Sequence, residues 1–225
     1  LGGMISDELL ISKEKVELSV SICKTDLTSD LVGEFPELQG IMGGYFATHQ
    51  GFDKEISLAI SEQYLPIGLD SKNPKKPYSV VLSATDKIDT LTGFFGINEK
   101  PTSSKDPFAL RRIALGIIRI IIENNKDLKL KDLLNYSAIL YQDQKYFFKN
   151  DDLQKDLNFF LIDRFKYYLK EKQIRFDIIE AIISSVSLNK LFSSFEKAKS
   201  LNKIINSQKG LDIISSYKRA SNILN

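Results

Sequence analysis

The sequence predicts an all-α fold, and three of its features do so. Apolar residues recur at three- and four-residue steps along most of the chain, as they must on helices that turn one face to a core. The one stretch that admits a β reading, Tyr78–Leu82, runs on into a helical rather than an alternating pattern. Breaks at Gly68–Pro77, Pro101–Lys105 and Asn124-Asn125 divide the pattern into segments of helical length.

Taken in order, Val16, Val20, Cys23 and Leu27 set out a first core-facing stripe. Pro36 suits the first position of a second helix running toward Thr48, where its missing N–H is not needed. Ile56, Ala59, Ile60 and Tyr64 mark a third helix, stopped by Pro66. Val80, Val81, Ala84, Ile88, Leu91 and Phe95 form the face of a fourth. Asp106-Pro107 reads as a helix start, with Asp106 as N-cap and Pro107 as the first helical residue. That helix carries Phe108, Leu110, Ile113, Ala114, Ile117, Ile118 and Ile121 and stops near Asn124. Further helices are expected at about 130–142, 152–171, 175–186, 189–206 and 210–223. The second of these is strongly patterned, with Leu157, Phe160, Leu161, Phe165, Tyr168 and Leu169 on one side.

The 225 residues are 43% hydrophobic and 27% charged, a soluble globular composition long enough for one large domain or two small ones. The single cysteine, Cys23, excludes a disulfide framework and a thiolate zinc site and fits a reducing cytosol; a small buried hydrophobe is its simplest role. The single histidine, His49, excludes a His-rich metal centre and any mechanism that needs two histidines. No signal peptide is legible, and the greasiest stretch, Ile113–Ile122, is too short for a bilayer and contains Arg119, so no membrane partner is expected. The opening Leu1-Gly2-Gly3 and the closing Asn222-Ile223-Leu224-Asn225 read as the ends of a piece cut from a longer chain.

A net charge of +2 conceals an asymmetry. Residues 145–225 hold 15 Lys and Arg against 9 Asp and Glu, a local +6, whereas residues 1–144 hold 16 against 20, a local −4. A basic C-terminal face suits a polyanion; a lysine-rich solvated surface would look the same.

Few motifs carry chemistry. Gly40-Ile41-Met42-Gly43-Gly44 lacks the preceding strand and following lysine of a phosphate loop, so its glycines are expected to let two helices approach. Asp26 with Asp30, Glu34 with Glu37, and Asp86 with Asp89 lie about one helical turn apart, which suits a hard cation, acid–base work or a solvated helix surface. Lys105 beside a helix start could hold a phosphate, but the adjacent Asp106 favours the capping role. Arg111 and Arg112 diverge by about 100° on a helix, so at most one is expected to face a given partner. Arg164, Lys166, Lys170 and Lys172 share a helix with Tyr167 and Tyr168, and Lys218 and Arg219 follow Tyr217. Cations interleaved with aromatics suit phosphates and unstacked bases, and suit the snorkelling edge of a helical core equally well.

Four strings resemble one family. They are Glu34-Phe35-Pro36-Glu37-Leu38-Gln39-Gly40-Ile41-Met42-Gly43, Ala84-Thr85-Asp86-Lys87-Ile88-Asp89-Thr90-Leu91, Lys105-Asp106-Pro107-Phe108-Ala109-Leu110-Arg111-Arg112, and Tyr217-Lys218-Arg219-Ala220-Ser221-Asn222-Ile223-Leu224. In order and across essentially the whole chain, they resemble the β subunit of the bacterial two-subunit glycyl-tRNA synthetase. The resemblance implies a piece of that longer subunit's C-terminal half. It implies an HD-like helical domain over 1–100, connecting helices over 101–150, and the N-terminal part of a helical anticodon-binding domain over 151–225. In that family the α subunit makes glycyl-adenylate with ATP and Mg²⁺, and the β subunit supplies tRNA binding. The implied partners are therefore the α subunit and tRNA(Gly), in a cytoplasmic α2β2 heterotetramer, with no catalytic residue, cofactor or metal in this chain.

True HD-type phosphohydrolases bind metal through several His and Asp residues. The matching positions here hold Lys24-Thr25-Asp26 for the His-Asp pair, Gln63 for a His and Asp86 for the last Asp, with His49-Gln50 as a second candidate remnant. One histidine cannot furnish a multi-His site, so a domain that kept the shape and lost the hydrolase is expected. The RNA-binding candidates are Lys105, Arg111, Arg112, Arg164, Lys166, Lys218 and Arg219. The rival functions are a helical scaffold joining the α and β chains, and an active HD-type metal phosphohydrolase.

Overall fold

A computed structural model describes residues 1–144, 148–208, 210, 212–213, 215–217 and 219. Among the described residues there are helices and no strands. In chain order they are α1 (Gly2–Leu9), α2 (Lys13–Ile22), α3 (Asp30–Glu34), α4 (Ile41–His49), α5 (Lys54–Glu62), α6 (Pro77–Gly96), α7 (Leu110–Glu123), α8 (Leu130–Asp143), α9 (Leu153–Glu171), α10 (Phe176–Ile183) and α11 (Leu191–Ile205). Short 3₁₀ turns at Thr25–Thr28, Pro36–Leu38 and Leu188–Lys190 join some of them.

α6 is the axle. It packs against α1, α2, α5, α7, α8 and α9. A helix surrounded in this way has to be apolar or small nearly all round. Its predicted face is buried throughout, and Ser79, Ser83 and Thr92 are buried as well. Tyr78–Leu82 is therefore helical, and its β reading is set aside. Leu110, Ile117, Ile121, Leu157, Leu161 and Phe165 continue the same core, which runs without a gap from Ile5 to Ala198. A smaller cluster of Cys23, Ala47, Ile56, Ala59, Ile60 and Leu82 joins α4 and α5 to α6.

The glycines of the Gly40–Gly44 string work as expected. A Cβ on Gly44 would lie 2.7 Å from Ser61 Cβ and 2.8 Å from the Ser57 carbonyl oxygen, so only glycine lets α4 meet α5 this closely.

Four expectations are corrected. Val20 and Leu27 are 37% and 48% exposed: the buried line of α2 runs through Val16, Ser19 and Cys23, which leaves Val20 at its edge, and the 3₁₀ turn after Cys23 takes Leu27 out of phase. Pro36 opens only a 3₁₀ turn; Gly40, at φ 81°, reverses the chain before α4 begins. α5 ends at Glu62, so Tyr64 lies in the following turn rather than on the helix. The helix expected from Pro107 begins at Leu110, because Ala109 adopts a left-handed conformation, and Phe108 stays outside it and is exposed. Of the helix expected at 210–223, residues 210, 212–213, 215–217 and 219 are helical and the rest lie outside the described residues.

Candidate nucleic-acid interface

Asp106 still caps α7, from farther back than an N-cap. Its Oδ1 accepts from the Leu110 amide at 2.8 Å and its Oδ2 from the Arg111 amide at 3.0 Å. Those amides are thereby committed, which removes them as a phosphate cradle. The same turn folds the Arg111 guanidinium back, where it donates to the Thr102 carbonyl. Arg112 is exposed and has no hydrogen bond or ion pair within the described residues. Arg119, seven residues on and hence on the same face of α7, is 6% exposed. It pairs with Glu123 at 2.8 Å, donates to the Ser71 carbonyl at 2.8 Å and reaches the Gly68 carbonyl, so it straps the 68–71 loop to α7.

Opposite this face, α9 presents Arg164 and Tyr167. The Arg164 guanidinium lies 5.7 Å from the Tyr167 ring centroid, within cation–π range, and is also bonded to Asp163. Between α7, α9 and the 66–69 loop lies a cleft of about 590 Å³, lined by Arg111, Arg112, Arg119, Arg164 and Tyr167 with Asp106 at one side. Four arginines line it, of which Arg112 alone makes no bond within the described residues. Planar forks and an aromatic ring round one groove are suited to phosphate groups and base faces.

A second polar cluster adjoins it. Asp26 is fully buried, and its Oδ2 accepts from the Gly40 amide at 2.6 Å and the Gly43 amide at 3.2 Å. Gln63, also fully buried, donates to the carbonyls of Cys23 at 2.7 Å and Ile60 at 3.1 Å. Asp86 Oδ1 pairs with Lys24 Nζ at 2.6 Å, and the same ammonium donates to the Tyr64 hydroxyl at 3.0 Å. Burial opposes the charge on Lys24, but Asp86 and Tyr64 outweigh it and hold the pKa above the ordinary lysine value. Lys87 is 5% exposed and donates to the Leu65 carbonyl at 2.8 Å, Ser83 Oγ at 2.9 Å and the Gln63 carbonyl at 3.3 Å. Burial pushes its pKa down to about 8.

Asp26, Gln63 and Asp86 thus gather round one region, but they do not fit a metal site. An ammonium occupies Asp86, and main-chain amides occupy Asp26. No group of three His, Cys, Asp or Glu that could hold a metal ion is found among the described residues. His49 is exposed on the last turn of α4 and makes no hydrogen bond to any of the three.

A family model described as the glycyl-tRNA synthetase beta subunit matches residues 1–184. The chain belongs to that family. Proteins named glycine–tRNA ligase beta subunit are similar to it. The one from Rickettsia canadensis is 45% identical over 208 residues, covering 92% of this chain and 30% of the relative. The one from Rhodospirillum centenum is 39% identical over 211 residues, covering 94% and 29%. The chain therefore spans about 30% of the length of the curated relatives it matches.

In this member of the glycyl-tRNA synthetase β family, three of the sequence-nominated cations meet: Arg111, Arg112 and Arg164 line the same cleft. Arg111 and Arg112 line one cleft although they diverge on the helix, because Arg111 sits in the first turn and bends back over the helix end. Lys105 lies exposed in the preceding loop, outside the cleft lining. Lys166 points the other way on α9, where it pairs with Glu180 and lies 5.7 Å from the Phe176 ring. Arg219 is exposed, and Lys218 lies outside the described residues. Arg119 was not nominated, although its seven-residue spacing from Arg112 marks it as a companion on one face.

Proposed function

We propose that the chain is an RNA-binding portion of a glycine–tRNA ligase β subunit, supporting ATP-dependent attachment of glycine to tRNA(Gly). Family membership supports the ligase reading, and the meeting of Arg111, Arg112, Arg164 and Tyr167 round one cleft carries the RNA reading. On this account Arg112 and Arg111 take backbone phosphates, and Arg164 with Tyr167 takes a phosphate and an adjoining base or sugar face. ATP, Mg²⁺ and adenylate chemistry belong to a separate α subunit in a cytoplasmic α2β2 assembly. This chain contributes no catalytic residue and no metal site. Residues 1–100 form an HD-like domain without hydrolase function, 101–150 connect, and 151–225 begin an anticodon-binding domain. The Lys24–Asp86 pair argues against the phosphohydrolase alternative.

A second reading, a helical scaffold for α/β assembly, draws on exposed Ile41, Tyr45 and Leu58 beside the α4–α5 groove. A gel shift of tRNA(Gly) by the 225-residue chain separates the two. RNA binding gives a shift whose affinity falls steeply with salt as counterions are released. A scaffold gives none.

A further inference from the structure

The arginine cleft shares Pro66 and Arg112 with a second cavity of about 430 Å³. That volume is in the range of roughly 300–1,000 Å³ usual for small-molecule sites. The polar lining includes Lys24, Gln39, Tyr64 and Asp86, and the apolar lining includes Ile67 and Ile113. Lys24 is committed to Asp86 and Tyr64, and Lys87, which also lines the cavity, to the Leu65 and Gln63 carbonyls and Ser83 Oγ, so Arg112 is the cation left for an anion. The acceptors are only half used, and the exposed carboxylate of Glu37, which also lines the cavity, makes no bond within the described residues. Asp86 bonds Lys24 through Oδ1, and Oδ2 has no bond within the described residues. Gln39 gives its amide N–H to Tyr64 and leaves its carbonyl oxygen over. The Tyr64 ring is no stacking platform: a Cβ on Gly40 would lie 2.8 Å from its Cδ2, and Lys24 Nζ lies 4.4 Å from its centroid.

We infer that this cavity takes one nucleotide whose base carries an exocyclic amine, with its phosphate on Arg112 and its amine donating to Asp86 Oδ2 or the Gln39 carbonyl oxygen. Uracil offers these acceptors one donor, its ring N3–H, whereas an exocyclic amine brings two N–H groups, so uracil leaves more of them unpaired and is disfavoured. The same chemistry serves a free nucleotide or an unpaired nucleotide of a strand in the arginine cleft; the second source rests on the RNA reading above.

Calorimetric titration of the 225-residue chain with AMP, CMP, GMP, UMP and inorganic phosphate tests this. At least one amine-bearing nucleotide should bind about tenfold or more tighter than UMP and phosphate. Ile67→Trp fills the cavity from a half-exposed loop position outside the arginine cleft, and should weaken that binding by a similar factor with an unchanged melting temperature. If a strand supplies the nucleotide, Ile67→Trp also weakens tRNA binding; if only a free nucleotide does, tRNA binding is unmoved. UMP binding as tight as the others, nucleotide binding indifferent to Ile67→Trp, or a chain that binds tRNA and no mononucleotide would overturn the inference. Mononucleotide binding without tRNA binding would instead sustain the cavity and count against the RNA reading.

Discussion

Asp26 offers the sharpest test of whether the polar cluster of Asp26, Gln63 and Asp86 is a structural anchor rather than a metal site. Its carboxylate is fully buried and takes two main-chain N–H groups, those of Gly40 and Gly43, at the reversal that launches α4. A hydrogen bond to a charged group contributes about 1.5–3 kcal/mol, so Asp26→Ala, which orphans both amides, should cost about 4 kcal/mol. That is a large share of the 5–15 kcal/mol typical of a domain, so a milder variant is needed beside it. Asp26→Asn keeps an oxygen toward both amides and puts its NH₂ where Oδ1 lies, an atom with no hydrogen-bond partner within the described residues. It loses only the charge assistance, at a cost of about 1–2 kcal/mol. Urea unfolding followed by far-UV circular dichroism reads both variants. With a slope near 2–3 kcal/mol per M, Asp26→Ala should lower the midpoint by about 1.5 M and Asp26→Asn by about 0.5 M. An unchanged or raised midpoint for both would refute the anchor, since removing a buried carboxylate that lacked partners should relieve the fold.

Two further outcomes follow from the same packing. Lys87 has its pKa lowered by burial to about 8, below the 10.5 of the unfolded chain. Between those values the unfolded state binds more protons, so stability rises with pH, and the cost of burying the ammonium is fully present only below about 8. Measured as wild type against Lys87→Met, the wild type should gain about 2–3 kcal/mol relative to the variant from pH 7.5 to pH 10, and a pH-independent difference would contradict the assignment. Gly44→Ala would press a methyl within 2.8 Å of the Ser57 carbonyl oxygen, a backbone atom that cannot swing aside, and should cost about 1–3 kcal/mol in urea unfolding; a neutral result would mean that α4 and α5 are farther apart than described.

The sequence announced the long helices and concealed the joints between them. α6 and α9 are legible because nineteen or twenty residues in one phase leave no alternative. α2 was over-read because a 3₁₀ turn after Cys23 rotates Leu27 out of register, which no periodic count detects. The break at Gly40 answers to Asp26, fourteen residues earlier, and the start of α7 answers to a carboxylate four residues back. Both are tertiary or capping bonds rather than propensities. The cleft was half legible. Charge counting pointed to residues 145–225, yet Arg111, Arg112 and Arg119 come from the acidic portion of the chain, and only Arg164 from the basic one. Net charge adds up over a segment, whereas a site depends on which side chains a fold leaves facing each other.

The central claim is that this cleft binds RNA. Its most direct test is the dissociation constant of tRNA(Gly) for the 225-residue chain and for Arg112→Glu, across a salt series. Arg112 has no bond to lose within the described residues, so the reversal should leave the melting temperature unchanged. It should weaken tRNA binding by about tenfold or more at low salt and flatten the salt slope by about one. A wild-type chain that binds tRNA with an affinity and slope that Arg112→Glu does not alter would contradict it.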